Sequence, residues 1–206
     1  MYQMPMPYIL GLTGNIACGK TSVGQMLLAS GAQRYIDADA VVHRLYEKDQ
    51  PIARQVAAAF GNSVLSPNGD VDRKALGAIV FSDAEAMNRL EAIVHPAVSR
   101  ALQAELQQAD EKDIVVLDAV KLLEGGSGAL CQAKWLVVCT QEQQLRRLIQ
   151  RNALSEEDAW ARLRAQAPVE PKKKLVDVVI DNSGTLEETR KQVETAFTYF
   201  CEQFVY

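Results

Sequence analysis

Tyr8-Ile9-Leu10-Gly11-Leu12-Thr13-Gly14-Asn15-Ile16-Ala17-Cys18-Gly19-Lys20-Thr21-Ser22-Val23 is the stretch around which the chain is organised. Tyr8 to Leu12 is a short apolar run, the pattern of a buried strand. Thr21 to Ser30 is helix-compatible, with Val23, Met26 and Leu27 on one side. Between them lies the pattern G-x-x-x-x-G-K-[ST], from Gly14 through Gly19, Lys20 and Thr21. A loop that wraps a polyphosphate needs inward-pointing backbone N–H groups and no obstructing side chains, hence its glycines. The following helix adds unpaired donors and the positive end of its dipole. Lys20 is placed to reach the β- and γ-phosphates and the Thr21 hydroxyl to ligate Mg²⁺. The stretch predicts binding of a nucleoside triphosphate.

At 206 residues the chain can form one sizeable core with an inserted subdomain. Its net charge of -4 argues against nonspecific nucleic-acid binding. Cys18, Cys131, Cys139 and Cys201 show no C-x-x-C spacing, so reduced thiols in a cytoplasmic protein are expected. Met1 to Pro7 lacks the features of a signal peptide, and no apolar window has the length of a membrane span. No protein partner is implied.

Downstream, Gln33 to Ile36 reads as a second strand running into Asp37-Ala38-Asp39, then a helix from about Ala40 to Lys48. Acids at a strand's carboxyl end beside a triphosphate are candidates for Mg²⁺ or base chemistry, and Asp also caps helices. Asp37 stays open between these roles; for Asp39 function is favoured. From Asp49 to Glu111 the pattern is nearly all helical. Pro51 opens a helix to Phe60, Asp72 caps Arg73 to Phe81, and Ser82-Asp83-Ala84-Glu85 reads as a capping box. His95-Pro96 is expected to break the block before a further helix from Pro96 to about Ala109. Strands at Asp113 to Leu117, Lys134 to Cys139 and Val178 to Ile180 complete a βα alternation. A capping box is expected at Thr140, and Ser155 and Thr185 are expected to cap the helices that follow them. The alternation predicts a parallel, three-layer α/β sheet with an inserted helical substrate subdomain.

Arg147 and Arg151, four residues apart, share a helix face, and Arg162 lies on the next helix. Guanidinium forks suit phosphate oxygens, whereas a solvated face paired with Glu142 and Glu156 would carry no chemistry. Lys172-Lys173-Lys174 reads as a solvated charge run. His43 falls four residues after Asp39 and could orient it, although a surface role fits better. His95 is the better candidate for ligand contact. Cys18 sits where a helix N-terminus lowers thiol pKa values, but a small filler is the preferred reading. The alternative predicts alkylation there, with protection by ATP.

Taken together, these residues resemble the dephospho-CoA kinases. The similarity is carried by Ile9 to Gly14 with Lys20-Thr21, Ile36-Asp37-Ala38-Asp39, Ile93-Val94-His95-Pro96, and Gln144-Leu145-Arg146-Arg147 with Arg151, Arg162 and Gln166. Lys172, Asp177 and Asp181-Asn182-Ser183-Gly184 extend it over nearly the whole chain. The resemblance implies a single P-loop NTPase-like kinase domain over residues 1–206. Its nucleotide-binding core would be about 7–40, 112–140 and 176–206, its helical CoA-binding subdomain about 41–111, and its helical lid about 141–175. It implies transfer of the γ-phosphoryl of ATP, with Mg²⁺, to the ribose 3′-hydroxyl of dephospho-CoA, the final step of coenzyme A synthesis.

In that reading Asp39, Lys20 and Arg147 are catalytic. Gly14, Asn15, Ala17, Cys18, Gly19, Lys20, Thr21, Ser22, Arg151 and Asn182 bind ATP, with Asn182 near the adenine, and Thr21 holds the metal. Asp39, His95, Arg162 and Lys121 contact the acceptor. The chain departs from the family pattern at Asn15, Ala17 and Cys18, where glycine, glycine and serine are usual, which stiffens the loop. Val120-Lys121 stands where Pro-Leu is common, leaving Lys121 to contact phosphate or pair with Glu124. A nucleoside monophosphate kinase, a GTPase-type switch and a degenerate nucleotide-binding module are the rivals. The absence of an N-K-x-D motif weighs against the switch, and intact Lys20, Thr21 and Asp39 against the degenerate module.

Overall fold

The computed structural model describes residues 6–124 and 126–205. These fall into two compact units, one ending at Asp37 and resuming at Ala109, the other spanning Ala38–Gln108. In chain order the elements begin with β1 (Tyr8–Gly14), α1 (Lys20–Ala29) and β2 (Arg34–Asp37). Four helices form the second unit: α2 (Ala38–Leu45), α3 (Pro51–Phe60), α4 (Arg73–Val80) and α5 (Ala84–Leu106). The first unit resumes with β3 (Ile114–Asp118), β4 (Ala133–Val138), α6 (Gln141–Asn152), α7 (Glu156–Arg164) and α8 (Val169–Lys173). It closes with β5 (Val178–Asp181) and α9 (Leu186–Phe204).

The five strands lie in the order β2-β3-β1-β4-β5, every pair parallel, with helices on both sides of the sheet. β1 is central, which is why its run is apolar without alternation: six of its seven residues are buried. Parallel pairing brings all carboxyl ends to one edge. There Gly14 is level with Val137 and Asp37 with Asp118. One sheet face packs Leu10, Leu12, Val116, Trp135 and Val137 against Val23 and Leu27 of α1 and Val193, Phe197 and Phe200 of α9. Burying each large side chain there stabilises the unit by about 1.5–3 kcal/mol. α9 begins with a full capping box, Thr185 and Glu188 each satisfying the other's backbone N–H.

The helical unit has its own core, built around Ile52, Val56, Val64, Leu76 and Val80. The Asp72 carboxylate caps α4 by accepting from the Lys74 and Ala75 N–H groups at 2.8 and 3.1 Å. Two local expectations are corrected here. α5 runs unbroken through Pro96. The proline removes one backbone bond and crowds the preceding turn, but Ala86 before it and Ala97, Leu102 and Leu106 after it are all buried. Packing along 23 residues thus offsets a cost of about 3 kcal/mol. The cap of α5 is also Asp83 rather than Ser82, whose hydroxyl turns back to the Ala78 and Ile79 carbonyls.

Candidate active site

The loop between β1 and α1 is fixed from several sides within its own unit. Gly19 caps α1 at φ +100°, and a Cβ there would meet the Asn182 amide nitrogen at 2.0 Å, so only glycine fits. Ala17, at φ +58°, holds a left-handed conformation in which a glycine would be unstrained. The alanine costs about 1–2 kcal/mol locally. Both backbone groups of Ile16 are met by glutamines from α6 and from the turn after α7: its N–H donates to Gln166 Oε1 at 2.6 Å, and its carbonyl accepts from Gln144 Nε2 at 2.8 Å. Ile16 and Ala17 also pack on the apolar seam of α6 and α7, made by Leu148, Ala159 and Leu163.

Two further side chains brace the loop. Arg147 Nη1 donates to the Ala17 and Cys18 carbonyls at 3.2 and 3.1 Å, and its Nη2 to the Asn182 carbonyl at 3.4 Å. Asn182 is buried; its amide donates to the Cys18 carbonyl at 2.9 Å and accepts from the Thr189 hydroxyl at 3.1 Å. Both ends of that amide are therefore spent inside the protein. In this geometry the Asn182 side chain helps to hold the shape of the loop.

Inside the loop lies a cavity of about 410 Å³, lined by Asn15, Ala17, Cys18, Gly19, Lys20, Thr21 and Ser22 with Arg147, Gln150 and Arg151 from α6. The first turn of α1 thus points its free N–H groups into a concave space edged by two guanidinium groups, a setting for a polyphosphate. The Lys20 ammonium sits 3.5 Å from the Gly14 carbonyl and 3.9 Å from Asp118 Oδ1. Asp118, at the end of β3, is buried, and its Oδ2 accepts from the Tyr35 hydroxyl at 2.5 Å. The Thr21 side chain lies beside the same phenol oxygen. Lysine, hydroxyl and carboxylate converge at the foot of the loop.

The chain matches the dephospho-CoA kinase family model over residues 8–188. The chain belongs to that family. A dephospho-CoA kinase of Symbiobacterium thermophilum is 44% identical over 195 residues, 94% of this chain and 81% of the relative. One from Geobacillus kaustophilus is 43% identical over 191 residues, 91% and 94% of the two chains. Among solved structures, TT1252 from Thermus thermophilus superposes with a TM-score of 0.81 at 35% identity, covering 95% of this chain and 98% of that one. The dephospho-CoA kinase of Campylobacter jejuni gives 0.68 at 27% identity over 96% and 99%. The protein is thus a kinase that uses ATP, of P-loop α/β fold.

Other candidates fall elsewhere. Arg162 is exposed on α7 and Lys121 in the turn after β3, neither among the residues lining the cavity. Glu124 lies 3.9 Å from Lys172, not paired with Lys121 as one expectation had it. In the helical unit Asp39 is exposed in the first turn of α2, and His95 is exposed on α5. His43 does not hold the Asp39 carboxylate. Its Nδ1 meets the Asp39 carbonyl oxygen at 3.1 Å, and its Nε2 faces Arg73. Asp177 and Asp181 serve backbone groups: Asp177 accepts from the N–H of Lys134 at the start of β4 at 2.7 Å, and Asp181 from the N–H of Ser183 at 2.9 Å.

Sequence reasoning missed Asp118, Gln150 and the burial of Lys172. An acid ending the strand beside β1 was the signal for Asp118. Lys172 is no solvated residue. Its ammonium donates to Asn15 Oδ1 at 3.1 Å, while Asn15 Nδ2 donates to the Ala167 carbonyl at 3.2 Å. Because consecutive helical residues diverge by about 100°, one lysine of a triplet can turn inward while its neighbours stay wet. Lys172→Met should raise the Kd for ATP about tenfold, the effect of losing one charge-assisted hydrogen bond. Fluorescence titration with a labelled ATP analogue measures it.

Cys18 is a buried filler, 1% exposed, and desolvation pushes its thiol to about 11. Iodoacetamide at neutral pH should leave it unlabelled with or without ATP, as peptide mass mapping would show. The same shift has a stability consequence. Above the ordinary thiol value of 9.0 the unfolded chain releases a proton that folded Cys18 keeps. Stability therefore falls as pH rises from about 9 towards 11. Cys18→Ser should flatten that part of the Tm-against-pH curve.

Proposed function

We propose that the protein transfers the γ-phosphoryl group of ATP to the ribose 3′-hydroxyl of dephospho-CoA, giving coenzyme A and ADP. The observation that carries this reading is an intact phosphate loop, with Lys20 and Thr21 at its cavity, in a chain that matches the dephospho-CoA kinase family over residues 8–188. The loop N–H groups and Lys20 cradle the phosphates. Arg147 and Arg151 add positive charge on the opposite wall, where charge spreads over the transferring group. Asp39 takes or orients the proton of the acceptor hydroxyl. His95, Arg162 and Lys121 remain candidates for the acceptor's phosphates and adenine.

The donor set at the loop's foot fits Mg²⁺. That ion binds hard oxygens, takes one or two of them from protein, and shares the rest of its shell between substrate phosphates and water. Thr21 and Asp118 would hold it. When bound, it neutralises charge on the β- and γ-phosphates. A soluble protein working in the cytoplasm on a small molecule is consistent with these chemistries. No helix among the described residues is long and apolar enough to cross a membrane.

The test is product analysis. Dephospho-CoA incubated with ATP, Mg²⁺ and the protein should give a product of the mass of coenzyme A, whose new phosphorus couples to the ribose H3′ in NMR. Phosphorylation at the 2′ position, or none, would reject the reading.

A further inference from the structure

We propose that Tyr35 is a positioning residue that sets the two oxygen groups, Thr21 and Asp118, for the magnesium ion that accompanies ATP. The inference rests on the metal reading given above. Tyr35 touches neither substrate nor cation in this account; it acts through the two groups that do.

The phenol is a bridge. Its proton goes to Asp118 Oδ2 at 2.5 Å, the only direction open beside an ionised carboxylate. The Thr21 side chain lies beside its oxygen. A carboxylate held at Oδ2 presents Oδ1 on the side where Lys20 lies at 3.9 Å, and the phenol beside Thr21 limits how its hydroxyl can turn. Magnesium demands near-octahedral geometry, so the rotation of each oxygen group decides whether it can ligate. Partners that hold metal-binding groups in place commonly change metal affinity by about 10–100-fold when removed.

The fold makes room for this bridge at one position. Gly24, buried in α1, has no Cβ; one built there would lie 2.2 Å from Tyr35 Cε2 and 2.9 Å from Cδ2. The ring therefore lies directly on the helix backbone. Glycine in a helix interior costs about 1 kcal/mol relative to alanine. Here it places an aromatic hydroxyl between the loop's threonine and the β3 carboxylate. The ring and the glycine form one device.

Tyr35→Phe keeps the ring on Gly24 and removes only the hydroxyl. Its effect is read from Mn²⁺ affinity in the enzyme–ATP complex by electron paramagnetic resonance, beside Asp118→Asn and unaltered protein. The expected result is about tenfold weaker Mn²⁺ binding in Tyr35→Phe, with ATP affinity in EDTA and the KM for dephospho-CoA unchanged within twofold. Gly24→Ala, which displaces the ring, should weaken Mn²⁺ binding similarly, and combining it with Tyr35→Phe should add no further loss. Unchanged Mn²⁺ affinity in Tyr35→Phe with a loss in Asp118→Asn would overturn the role of Tyr35 and leave the metal reading standing. No change in either variant would overturn both.

Discussion

Asp39→Asn should lower kcat by about 10²–10⁴-fold, the range over which a positioned acid or base contributes, with ATP affinity within twofold of the unaltered protein. The substitution is nearly isosteric and removes a charge. Asp39 is exposed in the first turn of α2, where its carboxylate also favours the helix N-terminus. That loss amounts to only about 0.3–1 kcal/mol, so the helix should persist. Single-turnover kinetics beside nucleotide titration separates the two effects. A matched loss of turnover and ATP affinity would assign Asp39 to holding the nucleotide or the fold.

Lys20→Met should cost about 10²–10³-fold in kcat and weaken ATP more than ADP, because the ammonium is placed for the β- and γ-phosphates. In the structure it rests between the Gly14 carbonyl and Asp118, so it also offsets a buried carboxylate. Removing it leaves Asp118 beside a methyl group. The variant should therefore show a modestly lower Tm as well, and the difference between ATP and ADP affinity isolates the effect at the γ-phosphate. Equal weakening of both nucleotides would instead mean that the lysine acts through loop structure alone.

Much of the fold was legible because its signals are local. The apolar runs ending at Gly14, Asp118 and Asp181 could be read as strands, and the caps at Asp72, Thr140, Ser155 and Thr185 are short-range chemistry. Strand order was not legible, since it depends on which faces meet after folding. The His95-Pro96 break failed for a related reason: local proline sterics were outweighed by burial along both halves of α5. At the site, Lys20 and Thr21 follow from the motif. The bracing of the loop by Asn182, Gln144, Gln166 and Lys172 joins residues more than 120 positions apart, and no spacing rule reaches that far. Asn15 illustrates the difference. In sequence it is a departure from glycine; in the structure its amide joins the buried Lys172 to the Ala167 carbonyl.

The most direct test of the account is ADP release with ATP and Mg²⁺ across an acceptor panel of dephospho-CoA, AMP, CMP, UMP and no acceptor. Turnover confined to dephospho-CoA is the predicted result. Turnover on a nucleoside monophosphate, or ATP binding with no acceptor-dependent release, would contradict it.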